Sequence, residues 1–145
     1  MAVQDKIERE IVINAPVQRV WELVSEPGWW IGDGDRSAQR RWKEGDVDII
    51  EDPKYGRFPL QVVAIEPPSY VSFRWVADGE GEHGPVGSST LVEFWVREQD
   101  GGAIVRVVES GFASMPNPEE AIEGNTKGWI FQLDVLKTSS ERGAA

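Results

Sequence analysis

Cysteine is absent from this chain of 145 residues, and histidine occurs once. The lack of cysteine excludes disulfide bonds, thiolate metal ligands and a thiol nucleophile. The single histidine, His83, cannot form a multi-histidine zinc site, and its acidic loop offers no fixed partners for a catalytic triad. The residues therefore predict no metal site and no cofactor.

Long apolar runs and an excess of positive charge are also missing. The apolar runs are a few residues long, far below the roughly 20 that cross a bilayer, and the charged N-terminus has no secretory signal. With 25 acidic and 15 basic side chains, the formal net charge is −10. Such a surface repels nucleic acids and anionic membranes. We therefore expect no nucleic-acid partner, no integral membrane association and a cytoplasmic location.

Tryptophan is what the chain has in surplus, with seven Trp against five Phe and two Tyr. An indole ring is large and carries an N–H group that needs a partner when it is buried. This surplus is typical either of core filling by bulky side chains or of a cavity lined by flat apolar faces. The chain length predicts one domain, over residues 1–145.

Two periodicities divide the N-terminal part of the chain. Residues 6–14 alternate, with Ile7, Arg9 and Ile11 on one face, which predicts a half-buried strand. From Val17 the apolar spacing becomes helical and predicts a helix that ends near Glu26. A loop or short helical stretch is expected to follow this helix.

The remainder is predicted to be sheet followed by one long helix. The helix opens at 115–118, with Glu119 and Glu120 in its first turn, and runs through Lys137. Gly124 and Gly128 each weaken it by up to ~1 kcal/mol relative to Ala, so close approach to the sheet or a ligand should compensate. Successive turns and segregated helices predict an α+β fold with an antiparallel sheet. The six strands are expected at 40–43, 46–51, 58–66, 70–77, 90–98 and 103–112.

Four segments together resemble the SRPBCC superfamily, also called START-like or helix-grip proteins. More narrowly, they resemble the bacterial family similar to the activator of the heat-shock-protein-90 ATPase. This resemblance implies a curved antiparallel sheet of about seven strands around a long C-terminal helix, a short helical segment after the first strand, and an internal cavity. It also places the first strand beside the last. The segments are IEREIVINAPVQRVWELV at 7–24, VVAIEPPSYVSFRW at 62–75, VVESGF at 107–112 and GNTKGWIFQLDVL at 124–136.

The resemblance leaves three functions open, because this superfamily includes lipid and polyketide binders, enzymes and a chaperone activator. The first is binding of a small, largely apolar molecule in the cavity between the sheet and the C-terminal helix. The second is a cyclase- or hydrolase-type enzyme that uses Glu109 in the cavity. The third is a chaperone-ATPase stimulator that acts through its outer surface. A homodimer is compatible with each of them.

Glu109 is the candidate polar group of this cavity, since it alternates with Val105 and Val107 and so faces inward. It could pair with Arg9 on the neighbouring first strand or accept hydrogen bonds from loop N–H groups near Gly111. It could also orient a ligand or act as a general acid or base. The residues alone do not choose among these roles.

The other candidate ligand-binding residues are inward-facing or lie at the expected cavity mouth. For the aromatic members, plain core packing stays an equal alternative, and the adjacent Trp29 and Trp30 are expected to form a gate or lid. Trp95 points outward by alternation. The complete set is Trp29, Trp30, Phe73, Trp75, Phe94, Val107, Glu109, Asn125, Trp129 and Leu133.

Overall fold

The computed structural model describes residues 6–32, 37–54, 56–76, 89–114 and 117–143, with the side chains of 75, 76, 89, 114 and 143 excepted. This part of the chain contains seven strands, two α-helices and one 3-10 turn at Phe112–Ser114. In chain order the elements are β1 (Lys6–Ile13), α1 (Val17–Val24), β2 (Arg40–Glu44), β3 (Val47–Asp52), β4 (Gly56–Glu66), β5 (Tyr70–Val76), β6 (Ser89–Gln99), β7 (Gly102–Ser110) and α2 (Pro118–Gly143).

All seven strands form one antiparallel sheet in the order β1-β7-β6-β5-β4-β3-β2. Strands β2 to β7 follow one another as neighbours, while β1 closes the sheet beside β7. The predicted α+β helix-grip fold is confirmed, including the short helix after the first strand and the pairing of the first strand with the last. An antiparallel sheet can bury one face and leave the other in water, as the alternation predicted.

The core lies between the inner face of the sheet and the two helices. Along β6 the inward positions Val92, Phe94 and Val96 are buried, and α2 contributes Trp129 and Leu133. Complete burial of a side chain of this kind stabilises the fold by about 1.5–3 kcal/mol. Helix α1 packs against β6 and β7, and α2 packs against β1 and α1, so both helices cover the inner face of the sheet.

Helix α2 continues beyond the predicted end at Lys137 to Gly143. Ser140 is buried on the same face as Leu136. Because Ser140 is polar, the apolar spacing used to predict the helix ended too early. Two contacts from the N-terminal part of the chain hold these turns: Arg19 Nη2 donates to the Ser139 carbonyl at 3.3 Å and the Asn14 amide donates to Glu141 Oε2 at 2.9 Å.

Within the described ranges, neither helix is apolar over a length that would cross a membrane.

The first helix ends at Val24, earlier than the predicted end near Glu26. Consecutive turns follow over residues 27–32 instead of further helix, with the Trp29 amide bonded to the Glu26 carbonyl at 3.2 Å. Gly28 has a φ of +72°, a left-handed conformation that side chains rarely adopt, so it allows the chain to turn there. These turns direct the adjacent tryptophans back toward the sheet.

Gly102 allows the ends of β1 and β7 to approach closely, because a Cβ at this position would lie 2.6 Å from the Ile13 carbonyl oxygen. We expect Gly102→Ala to lower the free energy of unfolding by about 1–3 kcal/mol, since a paired backbone cannot move aside without strain. Gly124→Ala is the matched control and should raise stability by about 0.5–1 kcal/mol. Urea denaturation measures both changes, and equal effects would contradict this prediction.

Candidate functional site

A buried carboxylate joins the sheet to α2. Glu109 lies on β7 opposite Val92 and is 0% exposed. Its Oε2 accepts a hydrogen bond from Thr90 Oγ1 at 2.5 Å, and its Oε1 accepts one from Trp129 Nε1 at 2.8 Å. Asn125 Nδ2 donates to both oxygens, at 3.1 and 3.2 Å. One side chain of the sheet and two of the helix therefore meet at this carboxylate.

These three donors to Glu109 are neutral. The proposed ion pair with Arg9 is not among the contacts of the described residues, and Arg9 is exposed although it alternates with the buried Ile7. A long guanidinium side chain on an edge strand can reach water, which spares the desolvation of a second charge. The Arg9 alternative is thus wrong, and hydrogen bonds from Thr90, Asn125 and Trp129 replace part of the carboxylate's hydration.

An aromatic cluster fills the adjacent space between the sheet and α2. The Trp30 ring lies 5.3 Å from Phe73 and 5.7 Å from Trp129, and the Trp29 ring lies 5.4 Å from Phe94. Trp29 and Trp30 are only 7% and 4% exposed. At this place the rings contact one another in tilted and edge-on arrangements rather than enclosing open space. A large internal cavity therefore stays a prediction.

The turn that carries the two tryptophans is held at both of its ends. Arg41 Nη1 donates to the Pro27 carbonyl at 2.7 Å, and Gln132 Nε2 of α2 donates to the Gly32 carbonyl at 2.7 Å. Gln39 Nε2 donates to the carbonyl just before Gly32 at 2.9 Å. These bonds connect the turn to the β2 side of the sheet and to α2, so they fix the depth of both indole rings.

A groove of about 150 Å³ lies beside this cluster along α2. Apart from the adjacent residues and the backbone of the helix itself, no described atom comes within 4 Å of a Cβ built at Gly124 or at Gly128. The expected close approach of the sheet to these glycines is therefore wrong, and their missing side chains instead leave the helix wall of the groove open. The groove is lined by Trp30, Gly32, Gly124, Asn125, Gly128, Trp129 and Gln132.

Comparison with known proteins assigns the fold to a family. The family model described as "Activator of Hsp90 ATPase homolog 1-like protein" matches residues 14–141. The chain belongs to this family. The resemblance found from the sequence is thereby confirmed, and the family's span contains the carboxylate, the aromatic cluster and the groove. No protein of curated function matches the sequence.

Solved structures share this family fold at low sequence identity. A protein from Mesorhizobium loti is 21% identical, with a TM-score of 0.72 over 94% of this chain and 97% of that one. A Bacillus halodurans protein is 24% identical, with a TM-score of 0.69 over 97% and 100%. The Aha1 dimer from Colwellia psychrerythraea is 18% identical, with a TM-score of 0.67 over 98% and 100%. Such similarity shows the fold alone.

The structure brings most of the predicted site residues together. Phe73, Phe94 and Trp129 join the aromatic cluster, while Val107 and Leu133 are buried in the core beside it. The backbone of Trp75 lies in β5, but its side chain and all of His83 fall outside the described residues. Trp95 faces outward as predicted, and its half-buried ring stacks near Tyr70 and under the Arg106 guanidinium, at 5.2 Å from each.

Two site residues were missed by sequence reasoning. Thr90 alternates with the inward Val92 and Phe94, so its position on the strand contained the signal. Gln132 lies three residues after Trp129 on the buried stripe of α2, where a polar residue is unusual. Both are polar residues on apolar faces, and such residues need hydrogen-bond partners.

Substitution of Glu109 tests the polar cluster. Glu109→Gln replaces one acceptor oxygen with an NH2 group, which faces donors and leaves at least one of them unsatisfied. We expect the free energy of unfolding to fall by about 1–3 kcal/mol. Glu98→Gln is the control, because Glu98 is exposed on the neighbouring strand β6 and its variant should stay within about 0.5 kcal/mol of the parent. Denaturant titration at neutral pH separates the two, and a neutral Glu109→Gln would refute the role assigned here.

Proposed function

We propose that this chain binds a small, largely apolar molecule between the sheet and α2, in the groove beside Trp30 and Trp129. The observation that carries this proposal is the groove itself, which is lined by two tryptophans and by a helix wall opened by two glycines. Ligand sites are typically concave and apolar with a few convergent polar groups, and Asn125 and Gln132 supply such groups here. The superfamily's lipid and polyketide binders support the same class of function.

The volume of the groove limits what can enter it. Its size of about 150 Å³ equals that of a cavity that holds one benzene molecule, roughly 150 Å³, and lies below the roughly 300–1,000 Å³ of sites for larger ligands. One ring or a short branched chain is therefore accommodated as the groove stands. A larger guest requires the Trp29–Trp30 turn to move outward, against the hydrogen bonds at its ends.

The glycines of α2 also support a binding role. In a helix each Gly destabilises the fold by about 0.5–1 kcal/mol relative to Ala. Neither Gly124 nor Gly128 has a described protein atom near enough to exclude a methyl group. Fold stability alone would thus favour Ala at both positions. A binding role explains the glycines instead, because the methyl group of Ala would partly fill the groove.

The enzymatic alternative has weaker support. A general acid or base must come within about 2.6–3.2 Å of the proton that it transfers. Glu109 is 0% exposed, and Thr90, Asn125 and Trp129 donate to both of its oxygens. This arrangement supports a role in orienting Asn125 and Trp129 rather than contact with a substrate.

Stimulation of a chaperone ATPase, a cytoplasmic location and a homodimer stay predictions. The family description names an activator of the Hsp90 ATPase, and the Colwellia relative is a dimer. Each of these statements concerns those proteins. A pull-down with the chaperone and sedimentation of this chain test the first and the third.

Alanine at the glycines separates stability from binding. Gly124→Ala and Gly128→Ala should each stabilise the fold by about 0.5–1 kcal/mol, because Ala is the better helix former. Each should weaken toluene binding roughly ten-fold or more, because its methyl group occupies the groove. Thermal unfolding measures the first effect, and titration followed by tryptophan fluorescence measures the second.

The matched control is Thr138→Ala, at an exposed position of α2 that does not line the groove. It should leave toluene affinity unchanged. The proposal fails if the parent protein binds none of a panel of neutral ring-sized molecules. It also fails if the two glycine variants bind them as tightly as the parent does.

A further inference from the structure

The hydrogen bonds of two side-chain amides determine which end of each is left for the groove. Asn125 directs its Nδ2 at the Glu109 carboxylate, and Gln132 directs its Nε2 at the Gly32 carbonyl. Carboxylate and carbonyl oxygens only accept hydrogen bonds, so the NH2 end of each amide must face the protein. Chemistry thus assigns both orientations without ambiguity between nitrogen and oxygen.

Both amide oxygens remain without a hydrogen bond from the described residues. Gln132 is 6% exposed, yet its Oε1 is not among the fully buried atoms that lack a partner, so this oxygen keeps some access to solvent. An acceptor with limited access to water can exchange that water for a ligand donor at a modest net gain. Both residues border the groove, which makes a bound molecule a natural source of that donor.

The two acceptors lie on the same face of α2 with Trp129 between them. Their spacing of seven residues corresponds to two helical turns, about 10 Å along the axis. The groove therefore offers an acceptor near each end and, between them, the small part of the Trp30 and Trp129 rings that stays exposed, 4% and 3% of each residue. A ring packed against this part, with a donor group at its edge, would match this arrangement.

The charge around the groove disfavours anions. The Glu109 carboxylate lies directly behind Asn125, and the chain has a formal net charge of −10. Like charges brought together in a partly desolvated site cost several kcal/mol. The same negative charge favours a neutral or cationic molecule.

We propose that the ligand is a ring-sized apolar molecule bearing a hydrogen-bond donor, such as a hydroxyl or amine, and that it is neutral or cationic rather than a carboxylate or phosphate. This inference rests on the proposed function and specifies its ligand class. Asn125 and Gln132 act in it as specificity-determining acceptors.

Three probes with one shared ring test this ligand class. Phenol carries a donor, toluene carries none, and benzoate is an anion with acceptors only. In the parent protein, benzoate should bind at least about ten-fold more weakly than phenol. Isothermal titration or ligand-observed NMR gives the affinities, and benzoate binding as tight as that of phenol would overturn the inference.

Two substitutions at Gln132 separate the acceptor from the structural bond to Gly32. Gln132→Met and Gln132→Glu both lose the donor to the Gly32 carbonyl, but only Gln132→Met also loses the acceptor. Relative to toluene, phenol should lose about five-fold in affinity in Gln132→Met and lose nothing in Gln132→Glu. Gln99→Met is the matched control, because Gln99 is exposed at the far end of β6, about 23 Å along the strand from Val92.

The outcomes distinguish the two proposals. If neither phenol nor toluene binds the parent protein, the proposed function itself fails. If both bind and Gln132→Met leaves their affinity ratio unchanged, ligand binding stands and the donor-bearing ligand class is overturned. An equal loss of phenol preference in both Gln132 variants assigns the effect to the Gly32 bond and likewise overturns it. Should the variants not fold, the comparison of benzoate with phenol in the parent protein still decides.

Discussion

A buried carboxylate needs hydrogen bonds from the protein in place of those it made with water. For Glu109, these hydrogen bonds come from two elements of the fold, the sheet and α2. Thr90 donates from the sheet, and Asn125 and Trp129 donate from α2. Because the penalty for an unsatisfied buried charge is large, the helix cannot rotate or slide freely over the sheet. The rest of the site depends on this constraint, since it determines where the Trp129 ring and the Asn125 amide lie.

The aromatic cluster completes the interior around that fixed point. Trp30 packs against Phe73 on one side and Trp129 on the other, and Gln132 of α2 holds the end of its turn through Gly32. A ring in such contacts contributes both buried area and a preferred tilted geometry. The same helix that donates hydrogen bonds to Glu109 thus also covers the aromatic cluster. Its glycines keep one side of the packed interior open.

Membership of the family explains the fold of this chain and does not by itself assign a function. Solved structures that are only 18% and 21% identical to this chain in sequence share its architecture, with TM-scores of 0.67 and 0.72. One architecture can carry many functions, so the chemistry of the individual site has to decide. Here the groove is lined by two tryptophans and two amide side chains, with the Glu109 carboxylate behind Asn125.

The sequence by itself determined the seven strands, the long helix, the inward position of Glu109 and the outward position of Trp95, because alternation and helical spacing record which side of each element is buried. Only the tertiary structure decided that Arg9 reaches water, that Trp29 and Trp30 fill the interior, and that α2 extends to Gly143. It also decided which end of the Gln132 amide faces the groove. These features depend on contacts between residues far apart in the chain, such as Gln132 with Gly32. A local period has no information about such contacts, because it reports the face of a residue and not the partner that this residue meets.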